Sequence, residues 1–251
     1  MDAYVYCFCA VPLSEIQRAG VENSQVLGVE HNGITAVISD CSGGAAPSLE
    51  GVISHHRVVD SLLEVTTPIP CRFGTVLSRP GLEAYIEANR TALKHLLERV
   101  RGCIEMALRI TWSSAAVTGD AENEINARST RVLPQSGGPG ARFLAEKFRE
   151  AAHREIAARQ AQTILDWADS RFTAVVKDRT VRLRPEAALV ADIAHLIDRT
   201  RLGQYRELFC SAAAERSDLR LSISGPWAPY SFAIIDKEVH IRDEGAHIQP
   251  L

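Results

Sequence analysis

From Cys103 onward the hydrophobic period of the chain switches between two and about 3.6, in an order that few folds accept. Ile104, Met106, Leu108, Ile110 and Trp112 alternate with Cys103, Glu105, Ala107, Arg109 and Thr111, the period of a half-exposed strand. A long helix is expected from about Gly140 to Asp169, with an apolar face that drifts through alanines. Phe172 to Lys177 is rich in strand formers, and Asp178-Arg179 is expected to turn. Ala187 to Ile197 fits either period, because Leu189, Ile193 and Leu196 also match helical spacing. A helix there would leave the preceding strand without an obvious partner, so a strand is expected. Leu202 to Arg216 has helical spacing, and Leu219, Leu221 and Ile223 alternate with polar residues in a last strand. The sum is β-α-β-β-α-β, the split βαβ order of ferredoxin-like domains.

The first hundred residues have a different order. Ala3 to Cys9 is a short apolar run, expected to be a strand buried on both faces. Gln25 to Val29 and Ile34 to Ser39 are strands joined at Asn32-Gly33, because both turn residues tolerate positive φ. Leu49 to Val65 has helical spacing, and Leu49, Val52, Ile53, His56, Val59 and Leu63 form the expected apolar stripe. Thr67-Pro68-Ile69-Pro70 stops that helix. An extended segment, Cys71 to Leu77, leads to one helix from about Pro80 to Arg101, closed by Gly102. The expected class is therefore α+β with two domains. Residues 1–101 form a smaller mixed α+β domain. Residues 102–251 form a ferredoxin-like domain with an antiparallel sheet, a mobile insertion at 113–139 and a C-terminal tail.

Composition narrows the function classes. The 251 residues are 46% hydrophobic and 24% charged, enough to bury a real core. A net charge of -3 provides no basic field, so sequence-independent nucleic-acid binding is not expected. No stretch approaches the roughly 18 apolar residues of a membrane span, and the start lacks a signal-peptide pattern. A cytoplasmic protein without lipid contact is expected. The six cysteines include no C-x-x-C pair and are expected to be buried small hydrophobes.

Few motifs carry chemistry. Adjacent helix positions point about 100° apart, so His55-His56 cannot chelate one metal as an i, i+4 pair does. His56 is expected within the apolar stripe and His55 at its margin. Cys7 and Cys9 share a strand face, but no nearby pair completes four ligands, so no metal is expected. Arg72-Phe73-Gly74-Thr75 either presents an arginine to a partner carboxylate or to phosphate, or is a structural turn. Trp227, Tyr230 and Phe232 sit in a proline-braced turn, as a hydrophobic plug or as a partner-binding surface. No phosphate loop, GxSxG elbow or HExxH helix is present, so neither a cofactor nor an enzyme is expected.

These segments, in this order, resemble the gas vesicle protein GvpF/GvpL family over nearly the whole chain. The resemblance runs through AYVYCFCAVP, NGITAVISD, HHRVVDSLLEVTTPIPCRFGTVL, GCIEMALRITW, GARFLAEK and SGPWAPYSFA. Two parts are specific: the histidine helix at His55 followed by Arg72-Phe73-Gly74, and Ser224 through Phe232. Cys71, Phe143 and Ala228 depart mildly from the usual family residues. The resemblance implies an accessory or minor structural protein of gas vesicles. It implies partners in the major shell protein GvpA and other Gvp proteins, with Arg72, Phe73, Trp227, Tyr230 and Phe232 as the candidate contacts. The alternative is a small-molecule-sensing regulatory protein of ferredoxin-like fold, an analogy of fold alone.

Overall fold

The computed structural model describes residues 2–13, 15–41, 48–113, 139–183 and 189–233. The expected insertion, but for its two end residues, and the tail beyond residue 233 lie outside them. The described chain is α+β, with two antiparallel sheets. It divides into two compact units: Met1–Glu105 together with the segment from Pro226, and Met106–Gly225.

The first unit is built on a six-stranded sheet. Strands β1 (Asp2–Cys9), β2 (Glu15–Ala19), β3 (Gln25–His31), β4 (Ile34–Cys41) and β5 (Ile69–Pro70) run in the order β2-β3-β4-β1-β5. A short β6 (Val76–Ser78) also pairs with β1. As its unbroken apolar run requires, β1 is central and buried from Ala3 to Cys9. The β3–β4 turn is the two-residue hairpin expected: His31 pairs with Ile34, and Asn32 and Gly33 take φ of 54° and 78°. Helix α1 (Leu49–Leu62), capped by the Ser48 side chain at Gly51 N–H, packs on β1 and β2.

The single helix expected from Pro80 is two helices, α2 (Arg79–Ala88) and α3 (Arg90–Val100). Asn89 makes the break. Its side-chain amide donates to the Tyr85 carbonyl at 2.9 Å, and its backbone leaves the helical region at φ -107°, ψ 11°. Sequence spacing also misses β2, whose residues lack strand periodicity.

Close backbone packing makes one position in this sheet intolerant of any side chain. A Cβ at Gly28 would lie 1.8 Å from the Leu13 carbonyl oxygen. Gly28→Ala is expected to cost about 3 kcal/mol through forced backbone displacement, read as a lower denaturant midpoint at unchanged slope. An unshifted midpoint would refute that packing.

The second sheet has the order β10-β7-β9-β8. It comprises β7 (Cys103–Trp112), β8 (Val176–Leu183), β9 (Leu189–Asp198) and β10 (Leu219–Trp227). Helix α4 (Pro139–Phe172) precedes β8, and α5 (Leu202–Glu215) lies between β9 and β10. The ambiguous segment is thus a strand. The expected strand at Phe172 to Lys177 is displaced, however. Phe172 ends α4 and is buried, and Asp178-Arg179, expected to turn, pairs within β8 against Leu196 and His195. A register shift between Val176 and Asp178 breaks the alternation that would have shown the strand. β7 departs from its expected pattern too. Cys103 and Glu105, placed by alternation on the solvent side, are buried.

Candidate functional site

Helix α1 follows the expected stripe only in part: Val59 and Leu63 are buried as expected, but its first turns face the other way. Its buried face is Gly51, His55, Val58, Val59 and Leu62, whereas Leu49, Val52 and Ile53 are exposed. His55 is therefore interior and His56 half-exposed. Both alignments satisfy helical spacing. The true one is fixed by a small residue and a polar one: the Phe73 ring lies against Gly51, where a Cβ would meet it at 3.1 Å, and His55 finds a partner in β1.

That partner is Tyr4, whose hydroxyl is 2.9 Å from His55 Nδ1 and accepts from Gly74 N–H at 3.2 Å. Which of the Tyr4 hydroxyl and His55 Nδ1 donates depends on the imidazole tautomer. Nε2 is buried without a hydrogen-bond partner of good geometry among the described residues. Burial lowers the His55 pKa to about 4, a backbone bond to Cys71 opposes the shift, and His56 adds slightly to it. The same burial raises the Tyr4 phenol. The Phe73 ring stands edge-on to Tyr4 and His55, with centroids at 6.1 and 6.0 Å, and Tyr6 packs on Tyr4 at 4.8 Å. The segment Arg72 to Thr75 is a tight turn in which Thr75 N–H and Oγ1 both reach the Arg72 carbonyl. Gly74 supplies the positive φ of 85° that this turn requires. The turn leaves the Arg72 side chain in solvent and the Phe73 ring inward.

The second specific segment meets the neighbouring histidine. His56 lies 5.2 Å from the Trp227 ring and 6.5 Å from that of Tyr230. The two family-marking segments therefore converge on successive residues of one helix, Phe73 on His55 and Trp227 with Tyr230 on His56. The turn follows the last strand of the second sheet, β10, which ends at Trp227, and residues from Pro226 group with the first unit. Within the turn the roles divide. Phe232, 4% exposed, is the plug, with Ala228 and Pro229 also buried. Trp227 is half-buried and Tyr230 is 38% exposed. Burial nonetheless raises the Tyr230 phenol, with Cys7 and Cys71 adding to the effect.

The turn is held by a carboxylate that sequence periodicity places in solvent. Glu105 accepts from Ser231 N–H on one oxygen and from Ser231 Oγ on the other, each at 2.8 Å. Burial raises the Glu105 pKa, and both Ser231 bonds oppose the rise. The signal available in the sequence is slight. A Pro-x-Pro turn has few backbone donors, so a following Ser-Phe needs a distant acceptor.

Elsewhere the chemistry is sparse. Cys7, Cys9 and Cys103 are buried as expected, whereas Cys41 and Cys71 are half-buried and Cys210 is exposed. Among the described residues no group of three or more His, Cys, Asp or Glu side chains is arranged to hold a metal ion. No helix among them is long and apolar enough to cross a membrane. A cleft of about 410 Å³ in the second unit is lined by Asp169, Phe172, Lys177, Arg179 and His195 among others. Its charges are already spent, Arg179 on Asp169 at 2.7 Å and Lys177 on Asp198 at 3.7 Å.

The known proteins that the chain resembles are consistent in kind. The chain aligns with gas vesicle protein L1 of Halobacterium salinarum at 28% identity, over 92% of this chain and 89% of that one. Gas vesicle protein L of a Streptomyces species is 27% identical over 76% of this chain and 72% of its own. The fold matches the crystal structure of GvpF from Anabaena with a TM-score of 0.77 at 18% identity, covering 93% of this chain and 98% of that one. GvpF from Microcystis aeruginosa gives 0.71 at 20% identity, over 93% and 99%. The gas vesicle synthesis protein GvpL/GvpF family model matches residues 2–234, so the chain belongs to the GvpL/GvpF family of gas vesicle proteins.

Proposed function

We propose that this protein is an accessory or minor structural component of gas vesicles that binds the shell protein GvpA and other Gvp proteins during assembly. The convergence of the two family-marking segments on His55 and His56 carries this reading. It leaves Arg72 and Tyr230 exposed and Trp227 half-exposed beside a packed aromatic cluster. Trp, Tyr and Arg are the side chains that anchor protein interfaces, and a preformed base lowers the cost of binding. Phe73 and Phe232, offered with these as contacts, support the surface from below.

The strand order β10-β7-β9-β8, with one helix before β8 and another before β10, supports a ferredoxin-like second domain. Its two outer strands differ. β8 carries Lys177, Asp178, Arg179 and Arg182, charges that discourage edge pairing, whereas Arg220 is the one charged residue of β10. The β10 edge is the better place for a shell-protein strand to add, as a second and separate contact.

The test is co-purification of GvpA with Trp227→Ala/Tyr230→Ala protein, whose melting is checked first. GvpA recovery is expected to fall at least tenfold, with vesicle yield falling alongside. Unchanged recovery from folded protein would defeat the assignment of this surface.

A further inference from the structure

The outward face of α1 is apolar and uncovered among the described residues. Leu49 is 78% exposed, Val52 44% and Ile53 39%, and with His56 they occupy positions i, i+3, i+4 and i+7. At 1.5 Å per residue this is a stripe about 10 Å long on one side of the helix. Single exposed aliphatic residues are ordinary, but a continuous helical stripe is a face of the kind that proteins bury. It cannot be hidden by turning α1. The opposite face is locked by the His55–Tyr4 hydrogen bond and by the Phe73 ring on Gly51. Through His56 the stripe is continuous with Trp227 and Tyr230.

Charge says what would cover it. The exposed charged residues of α1 and the turn after it are Glu50, Arg57, Asp60 and Glu64, three acids to one base. Asp60 follows His56 by four residues and so continues the line of the stripe at its C-terminal end. Neither Asp60 nor Glu64 has an ion pair among the described residues. We infer that this face is a docking groove for an amphipathic helix of a partner protein, with aliphatic residues at i, i+3, i+4 and i+7 and a lysine or arginine just beyond them to meet Asp60. The aliphatic residues pack on Leu49, Val52 and Ile53, and the Trp227 and Tyr230 rings form one wall of the groove. Anionic lipid surfaces are repelled by the same carboxylates. The inference rests on the proposed binding role and extends it to Leu49, Val52 and Ile53, which lie outside the segments that carry the family resemblance.

The probe is an 18-residue synthetic helix with leucines at that spacing and flanking lysines, compared with the same helix flanked by glutamates. Full-length protein should bind the lysine peptide at least tenfold tighter. Val52→Ser/Ile53→Ser should weaken it at least tenfold without lowering the melting temperature, since both residues are exposed. Asp60→Lys should shift the preference at least fivefold toward the glutamate peptide. Several results would overturn the inference: equal affinity for the two peptides, binding untouched by the serine pair, or binding to phosphatidylglycerol vesicles in place of the peptide. So would self-association abolished by the serine pair, or peptide binding that appears only after residues 234–251 are deleted. GvpA capture separates the two claims. If capture depends on Trp227 and Tyr230 while the serine pair leaves peptide binding intact, the groove alone fails. If peptide binding behaves as stated but GvpA is not captured, the assignment of GvpA fails alone.

Discussion

Acidification from pH 7 to pH 4 is expected to remove about 3 kcal/mol of stability from each of the two units. Each has one interior histidine bonded through Nδ1 to a tyrosine hydroxyl at 2.9 Å: His55 with Tyr4 in the first, His195 with Tyr205 in the second. Burial is the main cause of both shifts, with the Arg179 charge adding to it at His195. In the unfolded chain a histidine takes up its proton near pH 6.5, and in the folded protein near pH 4 for both. Between those values the unfolded state holds more protons. Stability is therefore full above about pH 6.5 and declines as the pH falls toward 4. Glu105 and Asp169, whose pKa values are raised by burial, work weakly in the other direction. Urea unfolding at pH 7, 5.5 and 4.5 measures the slope. His55→Gln should flatten the contribution of the first unit and His195→Gln that of the second. If wild type and both variants lose stability in parallel, the buried histidines are not the cause.

Glu105→Ala is expected to cost about 3 kcal/mol, because it removes the acceptor of two hydrogen bonds and leaves the Ser231 N–H without its partner. Its effect should reach further than stability. The Ser231 pair fixes the turn that carries Trp227 and Tyr230, so hydrogen exchange at residues 227–232 should speed up selectively, and partner capture should fall with it. Glu105→Gln can keep its amide oxygen on Ser231 N–H and donate its amide nitrogen to Ser231 Oγ, so it should lie between the two. A variant that loses stability without faster exchange in the turn would limit Glu105 to general packing.

What the sequence revealed, and what it hid, follows from the strength of each local signal. Asn32-Gly33 specifies a turn by its own backbone preferences, and the structure has that turn. Alternation located β7 and β10 because it is a local property of a pleated strand. The rotation of α1 was not legible. Two stripes competed, and the buried one is marked by Gly51 and His55, residues that no hydrophobicity pattern would choose. Their role exists only because Phe73 and Tyr4 lie opposite them. The Asn89 break, the shifted β8 and the inward Glu105 failed for related reasons: each depends on a hydrogen bond or register shift set by residues distant in sequence or outside the regular period. Among the proposed contacts Phe232 is buried, Phe73 and Trp227 are half-buried, and Arg72 and Tyr230 are exposed, a division that sequence spacing does not give.

The first unit is discontinuous in the chain, and this has a consequence during synthesis. Its sheet and three helices have all been translated by Glu105, yet the segment that completes it begins at Pro226. At about 5–20 residues per second, a ribosome needs on the order of 10 s to cross that interval. Through that time the nascent chain has the His56 side of α1 without its Trp227 and Tyr230 cover, and Glu105 without the serine it binds. The second unit is itself complete only when Gly225, the residue before Pro226, has been made. Closure of the first unit is therefore the last event of maturation, and a chain cut short anywhere before Phe232 keeps that apolar surface open to whatever else the cell is translating.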